Sequence, residues 1–432
     1  MSRLSRRAFL RRIGTGLGVA AVGPSIVPDT VMGAGEVASP SERVTCAIMG
    51  CGNRGPRVMQ HFLRQSDVQW LAACDCRQDR LDRARKQVNT HYKNADCAGY
   101  LDFRDLFGRP DLDAVLIATG ARWHAVGSIY AARAGKDVYS EKPISLTLAE
   151  GRALVDTCDR LGTIYQAGYQ RHSVDSFRFA VECAQQQRLG RLKEIICNFW
   201  ECPPIKATPP IPVPDGFGYD MWLGTTPWHP FTWGRVNGWR YVWDTGGGMV
   251  DGMGCHWTDL AQWANQTEHT GPVKAEVLEV QWAPRESLCE VPVSCRVALT
   301  YADGVRCIME SKGKFEDRYI RFVGTDGWIQ VDDATNLVTC RPQSLLKVRG
   351  ISAKGWGDPG DHVRNFLEGV KRRRRTVCHP EAAHRTMSLC HLTNIALRLG
   401  RTLHWDPSKE EFAGDPEANT MRSRAIRPPW RI

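Results

Sequence analysis

The sequence predicts an α/β chain: a doubly wound parallel sheet first, then an α/β domain with a large, mostly antiparallel sheet. Three observations predict it. Between residues 41 and 168, short apolar runs alternate with helical stretches, the pattern of strands joined by crossovers. The first apolar run ends in a glycine-rich turn, Gly50-Cys-Gly52-Asn53-Arg54-Gly55, and a helical segment follows. Beyond residue 169, β-type runs take over, separated by turn signals such as Ala302-Asp-Gly304 and Thr325-Asp-Gly327.

Each element of the first domain has a local reason. Val44–Met49 has strand length, and Pro56 stands at a first-turn position of the helix after the glycines. Gly50 permits the turn, Gly52 lets a backbone approach a pyrophosphate, and Gly55 lets helix and strand pack closely. The phosphates of a dinucleotide then sit on the helix N-terminus, with Asn53 and Arg54 in the same loop. The next apolar run, Val68–Cys74, ends in Asp75, 20 positions after Gly55. A carboxylate there takes the ribose hydroxyls of NAD and repels the 2′-phosphate of NADP, although Arg77 softens that preference. The expected cofactor is NAD, with NADP less favoured. Helices over 79–89, 101–107, 123–134 and 147–161 and strands over 112–118, 137–140 and 163–167 complete the unit, with the crevice at the carboxyl ends of the strands.

The second domain, 169–405, opens with a helix over 177–187. Strands are expected over 193–200, 273–282, 293–301, 305–310 and 319–323. Residues 203–265 form a loop and helix segment dense in Trp, Pro and Gly. Helices over 362–370 and 381–399 follow, then a polar tail, 406–432.

The N-terminus reads Ser5-Arg6-Arg7-Ala8-Phe9-Leu10, a twin-arginine export signal within residues 1–34. Its apolar stretch, 13–27, is too short and too weakly apolar for a stable membrane span. Export of an already folded protein by the twin-arginine machinery fits a cofactor enzyme bound for the periplasm or another extracytoplasmic space. The 432 residues carry a net charge of +10; residues 1–34 hold five Arg and one Asp, leaving the remainder near +6. The run Lys371-Arg-Arg-Arg-Arg375 supplies most of that excess. No aromatic residues interleave with it, so it reads as a solvated helix end and no nucleic-acid partner is expected. The sixteen cysteines show neither C-x-x-C pairs nor Cys/His metal spacing, which points to mostly free thiols and no metal.

From about residue 43 to the C-terminus the chain resembles the glucose–fructose oxidoreductase / inositol dehydrogenase family, known as Gfo/Idh/MocA. The carriers are the glycine turn, Ala118-Thr119 with Trp123-His124, Gly135-Lys-Asp-Val, Glu141-Lys142-Pro143, Gln170-Arg171, Trp222-Leu-Gly224 and Trp239-Arg240. The segment Gly246-Gly-Gly248 leading to Gly254-Cys-His256-Trp-Thr-Asp259-Leu260 is the last of them, and the C-terminal portion is similar to the exported branch. The resemblance implies a Rossmann domain followed by a sheet domain, through which members commonly form homo-oligomers.

The same resemblance makes Lys142 the lysine beside the reacting alcohol, on a strand end followed by a cis peptide at Pro143. An ammonium there holds an alkoxide or carbonyl oxygen and passes a proton, and burial lowers its pKa toward working pH. His256 faces the same oxygen by resemblance, and an imidazole suits removal of a hydroxyl proton. Asp259, one helical turn on, is a candidate to orient it. Members carry Asp four residues before this histidine; here Gly252 stands there and the acid is Asp251, five before. Either Asp251 still points inward as a third catalytic group or the site works without it. Thr119, Trp123 and His124 line the nicotinamide half of the cofactor, with Glu141 and Gln170 at its edge. Arg171 either contacts substrate or forms a structural ion pair. Eight tryptophans lie between 200 and 263, and one or two are expected to touch a sugar.

The leading expectation is an NAD-dependent oxidoreductase on a sugar, polyol or glycoside hydroxyl, with retained, internally recycled cofactor. The alternatives are an NAD-dependent glycosidase using oxidation, elimination and re-reduction, and an exported sugar-binding protein without turnover. The glycosidases of the family lack the lysine of Glu-Lys-Pro, so Lys142 speaks against that branch.

Overall fold

The computed structural model of the protein describes residues 39–347 and 359–432. The expected export signal and its apolar stretch lie outside the described residues. Residues 39–43 belong to a short unit of their own, with a single 3-10 turn over Pro40–Glu42. The rest of the described chain, from Val44, is the second unit.

Its first sheet has six strands: β1 (Val44–Met49), β2 (Val68–Cys74), β3 (Ala98–Tyr100), β4 (Ala114–Ile117), β5 (Asp137–Ser140) and β6 (Tyr165–Ala167). The order is β3-β2-β1-β4-β5-β6 and every pairing is parallel. The strand order reverses between β1 and β4, which opens a crevice at their carboxyl ends. The crossovers are α1 (Gly55–Leu63), α2 (Gln78–Tyr92), α3 (Phe103–Phe107), α4 (His124–Arg133) and α5 (Leu148–Leu161). In α1, Val58, Met59, Phe62 and Leu63 share one buried face. The α5 helix starts where the Thr147 hydroxyl accepts from Glu150 N–H, and it stops at left-handed Gly162. Strand β3 escapes sequence reading because it has three residues and a central glycine.

The second domain begins with α6 (Asp175–Gln185) and β7 (Leu192–Phe199). Then come α7 (Tyr219–Leu223), α8 (Trp233–Asn237), a π-helical turn at Val250–Gly254 and α9 (Cys255–Ala264). The remaining strands are β8 (Lys274–Trp282), β9 (Pro292–Thr300), β10 (Arg306–Ser311), β11 (Tyr319–Gly324), β12 (Trp328–Asp332), β13 (Val338–Arg341), β14 (Leu403–Asp406) and β15 (Glu411–Phe412). Helices α10 (Pro359–Arg372) and α11 (Pro380–Leu399) precede β14, and α12 (Pro416–Thr420) follows β15. The nine strands run β13-β12-β11-β7-β10-β9-β8-β14-β15, and only β7 and β10 pair in parallel. In β11 and β12, Ile320, Phe322, Ile329 and Val331 are fully buried and their neighbours alternate outward, as one-sided sheets require.

Two segments pack in ways their composition hides. Helix α10 returns to the first sheet, where Phe366 meets Phe62 and Tyr139 at 6.1 and 5.8 Å between ring centres. The basic run that ends it docks on first-domain carboxylates: Lys371, in its last turn, pairs with Asp67, and Arg373, just past it, with Asp137 at 2.5 Å. The polar tail also folds back. Trp430 is buried between Phe103 and Trp123, at 5.6 and 4.7 Å, and Arg424 reaches Glu150 on α5 at 2.8 Å.

Candidate active site

Two adjoining cavities occupy the crevice. The first, about 420 Å3, is lined by the glycine turn, by Asp75 and Arg80 after β2, and by Thr119, Arg122 and Trp123 after β4. Gly50 has φ +97°, and a Cβ there would lie 2.6 Å from the Ala118 backbone. A Cβ on Gly55 would lie 2.2 Å from the Gly50 carbonyl oxygen, so both positions require glycine. At Gly52 a Cβ meets nothing nearer than Arg80, at 3.5 Å; any side chain there projects into the cavity instead. Asp75 ties the turn down: its Oδ2 accepts from Cys51 N–H at 2.7 Å and its Oδ1 from Arg77 N–H at 2.9 Å. Burial raises its carboxyl pKa while those two N–H groups oppose the rise. The Arg77 guanidinium is turned to Asp79 at 2.9 Å and lies over Phe217, so the arginine lining the cavity beside Asp75 is Arg80. A glycine cradle, the open first turn of α1 and a carboxylate at the end of β2 fit a dinucleotide.

The second cavity, about 300 Å3, holds the titratable groups. Lys142 lies just past β5 and the Lys142–Pro143 peptide is cis. Its Nζ donates to the Gly252 carbonyl oxygen at 2.5 Å. Burial lowers the Lys142 pKa, and the nearby Cys255 and Glu141 oppose that. Glu141 is itself buried, which pushes its carboxyl up; Arg54, at 2.8 Å, and Lys142 outweigh this and hold it below the usual range. Gln170 Nε2 donates to the same Glu141 oxygen at 3.0 Å.

His256 stands at the start of α9 and lines the same cavity. It is buried, and its Nδ1 has no hydrogen-bond partner among the described residues. Burial, then the positive charges of Arg171 and Lys142, push its pKa well below the ordinary imidazole value. It is therefore neutral at neutral pH, with its Nδ1 lone pair or N–H unspent.

Other expected partners hydrogen-bond elsewhere, although Asp251, Arg171 and His124 also line this cavity. Asp251 lies in the π-helical turn, and its Oδ1 accepts from Asn394 Nδ2 of α11 at 2.9 Å. Burial raises its carboxyl pKa well above the usual range. The partner of Lys142 at this point of the chain is thus the Gly252 backbone, not an acid side chain. Asp259 does not orient His256 either; its Oδ2 lies 3.2 Å from His172 Nδ1. His172, Asp259 and Cys378 hold their potential ligand atoms within 4.8 Å of one another. Arg171 is in a bidentate pair with Asp333, at 2.5 and 2.6 Å, and still lines the cavity. His124 Nδ1 lies 2.6 Å from the Pro143 carbonyl oxygen and its Nε2 3.3 Å from that of Thr119, so it ties the two loops together. Burial lowers its pKa to about 4. Trp123 donates from Nε1 to Met221 O at 2.8 Å.

Of the eight tryptophans, Trp200 and Trp239 line the second cavity. Sequence reading missed Arg318, Asp333 and Phe315, which come from the β11 and β12 edges and carry no motif. All sixteen cysteines are free, with Cys197 and Cys307 facing each other across β7 and β10 at 3.6 Å.

A glycine-turn Rossmann domain joined to a nine-stranded sheet domain, with lysine and histidine at their junction, defines a dinucleotide-dependent oxidoreductase. Residues 44–169 match the model of the oxidoreductase family's NAD-binding Rossmann fold, and residues 199–432 match that of its C-terminal alpha/beta domain. The chain belongs to the Gfo/Idh/MocA oxidoreductase family. Among curated proteins, it is 32% identical over 174 residues to a glycosyl hydrolase family 109 protein of Shewanella baltica (strain OS185), and 30% identical over 175 residues to an alpha-N-acetylgalactosaminidase of Shewanella oneidensis. Each match spans 37% of this chain and 38% of the relative. Among solved structures, the aldose-aldose oxidoreductase of Caulobacter crescentus shares the fold at 20% identity and TM-score 0.63, covering 84% of this chain and 99% of that one. The WlbA dehydrogenase of Bordetella pertussis, solved with NADH and UDP-GlcNAcA, does so at 16% identity and TM-score 0.64, covering 84% and 99%.

Proposed function

We propose that the protein is an NAD-dependent oxidoreductase acting on a hydroxyl of a sugar, polyol or glycoside, with its cofactor retained and recycled within each turnover. The observation that carries this reading is that Lys142 and His256 line one cleft beside the dinucleotide crevice. A bound nicotinamide supplies the hydride acceptor and donor there. Neutral His256 takes the hydroxyl proton, and the Lys142 ammonium holds the oxygen as negative charge develops on it. The Gly252 carbonyl orients that ammonium. Trp200 and Phe315, in edge contact at 4.8 Å, place apolar ring surface in the cleft for the C–H surface of a sugar. The buried Asp75 carboxylate favours the diol of NAD over the phosphate of NADP.

Export supports the closed cycle. The Ser5-Arg6-Arg7 signal sends the chain to a compartment with little free NAD, so the nucleotide travels inside the folded protein. The reading also includes a homo-oligomer: Leu278, Val280 and Trp282 leave an apolar stripe exposed on one face of β8. The test is mass spectrometry of nucleotide released from desalted, exported protein, followed by addition of sugars. Near-stoichiometric NAD that a sugar reduces without added nucleotide is expected. Empty protein that needs NAD supplied continuously overturns the closed cycle; the absence of both NAD and isotope exchange at any sugar carbon leaves a binding protein.

A second reading, an NAD-dependent glycosidase by oxidation, elimination and re-reduction, is favoured by the family 109 relatives. Release of an aglycone from a chromogenic glycoside, with no net change in bound nicotinamide, distinguishes it.

A further inference from the structure

We propose that the substrate is an acidic sugar, whose carboxylate or phosphate is held by the arginines on the sheet-domain wall of the second cavity. The proposal rests on the reading of that cavity as the substrate cleft. Five cationic side chains line it, against three carboxylates. Two of those carboxylates are committed: Glu141 to Arg54, and Asp333 to two arginines at once. The third, Asp251, is turned onto Asn394.

The remaining positive charge is held in place, not loosely solvated. Asp333 grips Arg171 in a fork at 2.5 and 2.6 Å, and its Oδ2 also accepts from Arg318 Nε. Arg318 lies over the Phe315 ring at 3.8 Å and donates from Nη1 to the Phe315 carbonyl. One carboxylate thus fixes two guanidiniums and neutralises one. Arg171 Nη1 and Arg318 Nη2 have no hydrogen-bond partner among the described residues. Arg240 is stacked on Trp239 at 4.5 Å and has no carboxylate within ion-pair distance among the described residues. A planar guanidinium with unspent N–H donors, fixed by its own partner, is the usual receptor for carboxylate or phosphate oxygens. Arg54 and Arg240 also line the first cavity, so cofactor phosphates account for part of the charge; Arg171, Arg318 and Asp333 line only the second.

The test is equilibrium binding to the full-length protein carrying its nucleotide, with glucuronate, glucose 6-phosphate and glucose, then the same three ligands in the galacto series. At least one anion is expected to bind about tenfold more tightly than its neutral parent, as a charge-assisted hydrogen bond would give. Preference for the uronate assigns a carboxylate, and preference for the 6-phosphate assigns a phosphate. Arg318→Gln and Arg240→Gln should each remove most of the advantage of the anion over its neutral parent. Arg240→Gln stands in if loss of the Asp333 clamp unfolds the Arg318 variant. Equal affinity for charged and neutral sugars, no binding of any anion, or unchanged preference in both variants overturns the proposal. An anion preference in binding upholds the proposal whatever the nicotinamide absorbance does; reduction of the bound nicotinamide by neutral sugar with no anion preference overturns it and leaves the oxidoreductase reading standing.

Discussion

The ammonium of Lys142 donates to the backbone carbonyl of Gly252 at 2.5 Å, at the position where members of the family carry an acid. A carbonyl dipole orients the ammonium without adding a negative charge, so burial still lowers the Lys142 pKa against the opposing Cys255 and Glu141. Lys142→Ala should lose the chemical step by about 10²–10⁴-fold, as for other positioned acid–base groups. Single-turnover nicotinamide absorbance measures the step, and mass spectrometry of released nucleotide should show NAD still bound. Near-normal turnover removes Lys142 from the mechanism.

The neighbouring acid gives the opposite expectation. Asp251 faces Asn394, and Asn in its place still accepts from Asn394 Nδ2. Asp251→Asn should keep turnover within about twofold, the ordinary range for a group outside the reacting atoms. A larger loss shows that the Asp251 carboxyl, which lines the cavity, takes part in turnover.

Placing an acid at 252 should change the alkaline side of the profile. A Cβ on Gly252 meets only Met249, at 3.4 Å, so Gly252→Asp should fold. The added carboxylate favours the charged ammonium and moves the alkaline limb of kcat/KM to higher pH. An unmoved limb shows that Lys142 does not set it.

Arg171 controls the acid side. Its positive charge is the largest influence, after burial, that lowers the His256 pKa. Arg171→Gln removes that repulsion, so the imidazole holds its proton to higher pH and the acid limb of kcat/KM should shift upward. Rescue by Arg171→Lys should bring the limb back; a shift that Lys does not reverse indicates a packing effect.

Stability should fall in acid for a related reason. Burial lowers His124, His362 and His379 to about 4 and His391 to about 3. The unfolded chain binds these protons near pH 6.5, so their contribution is intact above that pH and is lost as pH falls toward 4. Each histidine adds a slope of about 1.4 kcal/mol per pH unit in that window. The raised carboxyl of Asp251 acts in the opposite sense. Calorimetry at pH 5.5 in buffers of different ionisation enthalpy should show net uptake of more than one proton on unfolding; no uptake refutes this account.

The sequence by itself determined the parallel sheet, the glycine turn and the two residues proposed to carry the chemistry. Apolar runs of strand length, the spacing from Gly55 to Asp75 and the Glu141-Lys142-Pro143 segment are local signals, and each element follows from its own neighbourhood. Only the tertiary structure decided what surrounds those carriers. Asp251 and Asp259 are close to His256 in sequence, but helix geometry turns them to Asn394 and His172. Asp333 comes to the cleft from 162 residues beyond Arg171 and Arg318 joins it there, and Trp430 closes on Phe103 from the far end of the chain. Such pairings depend on which faces of distant elements meet. Local periodicity carries that only as polar or apolar, so the partners of each charge became legible only when the sheets packed.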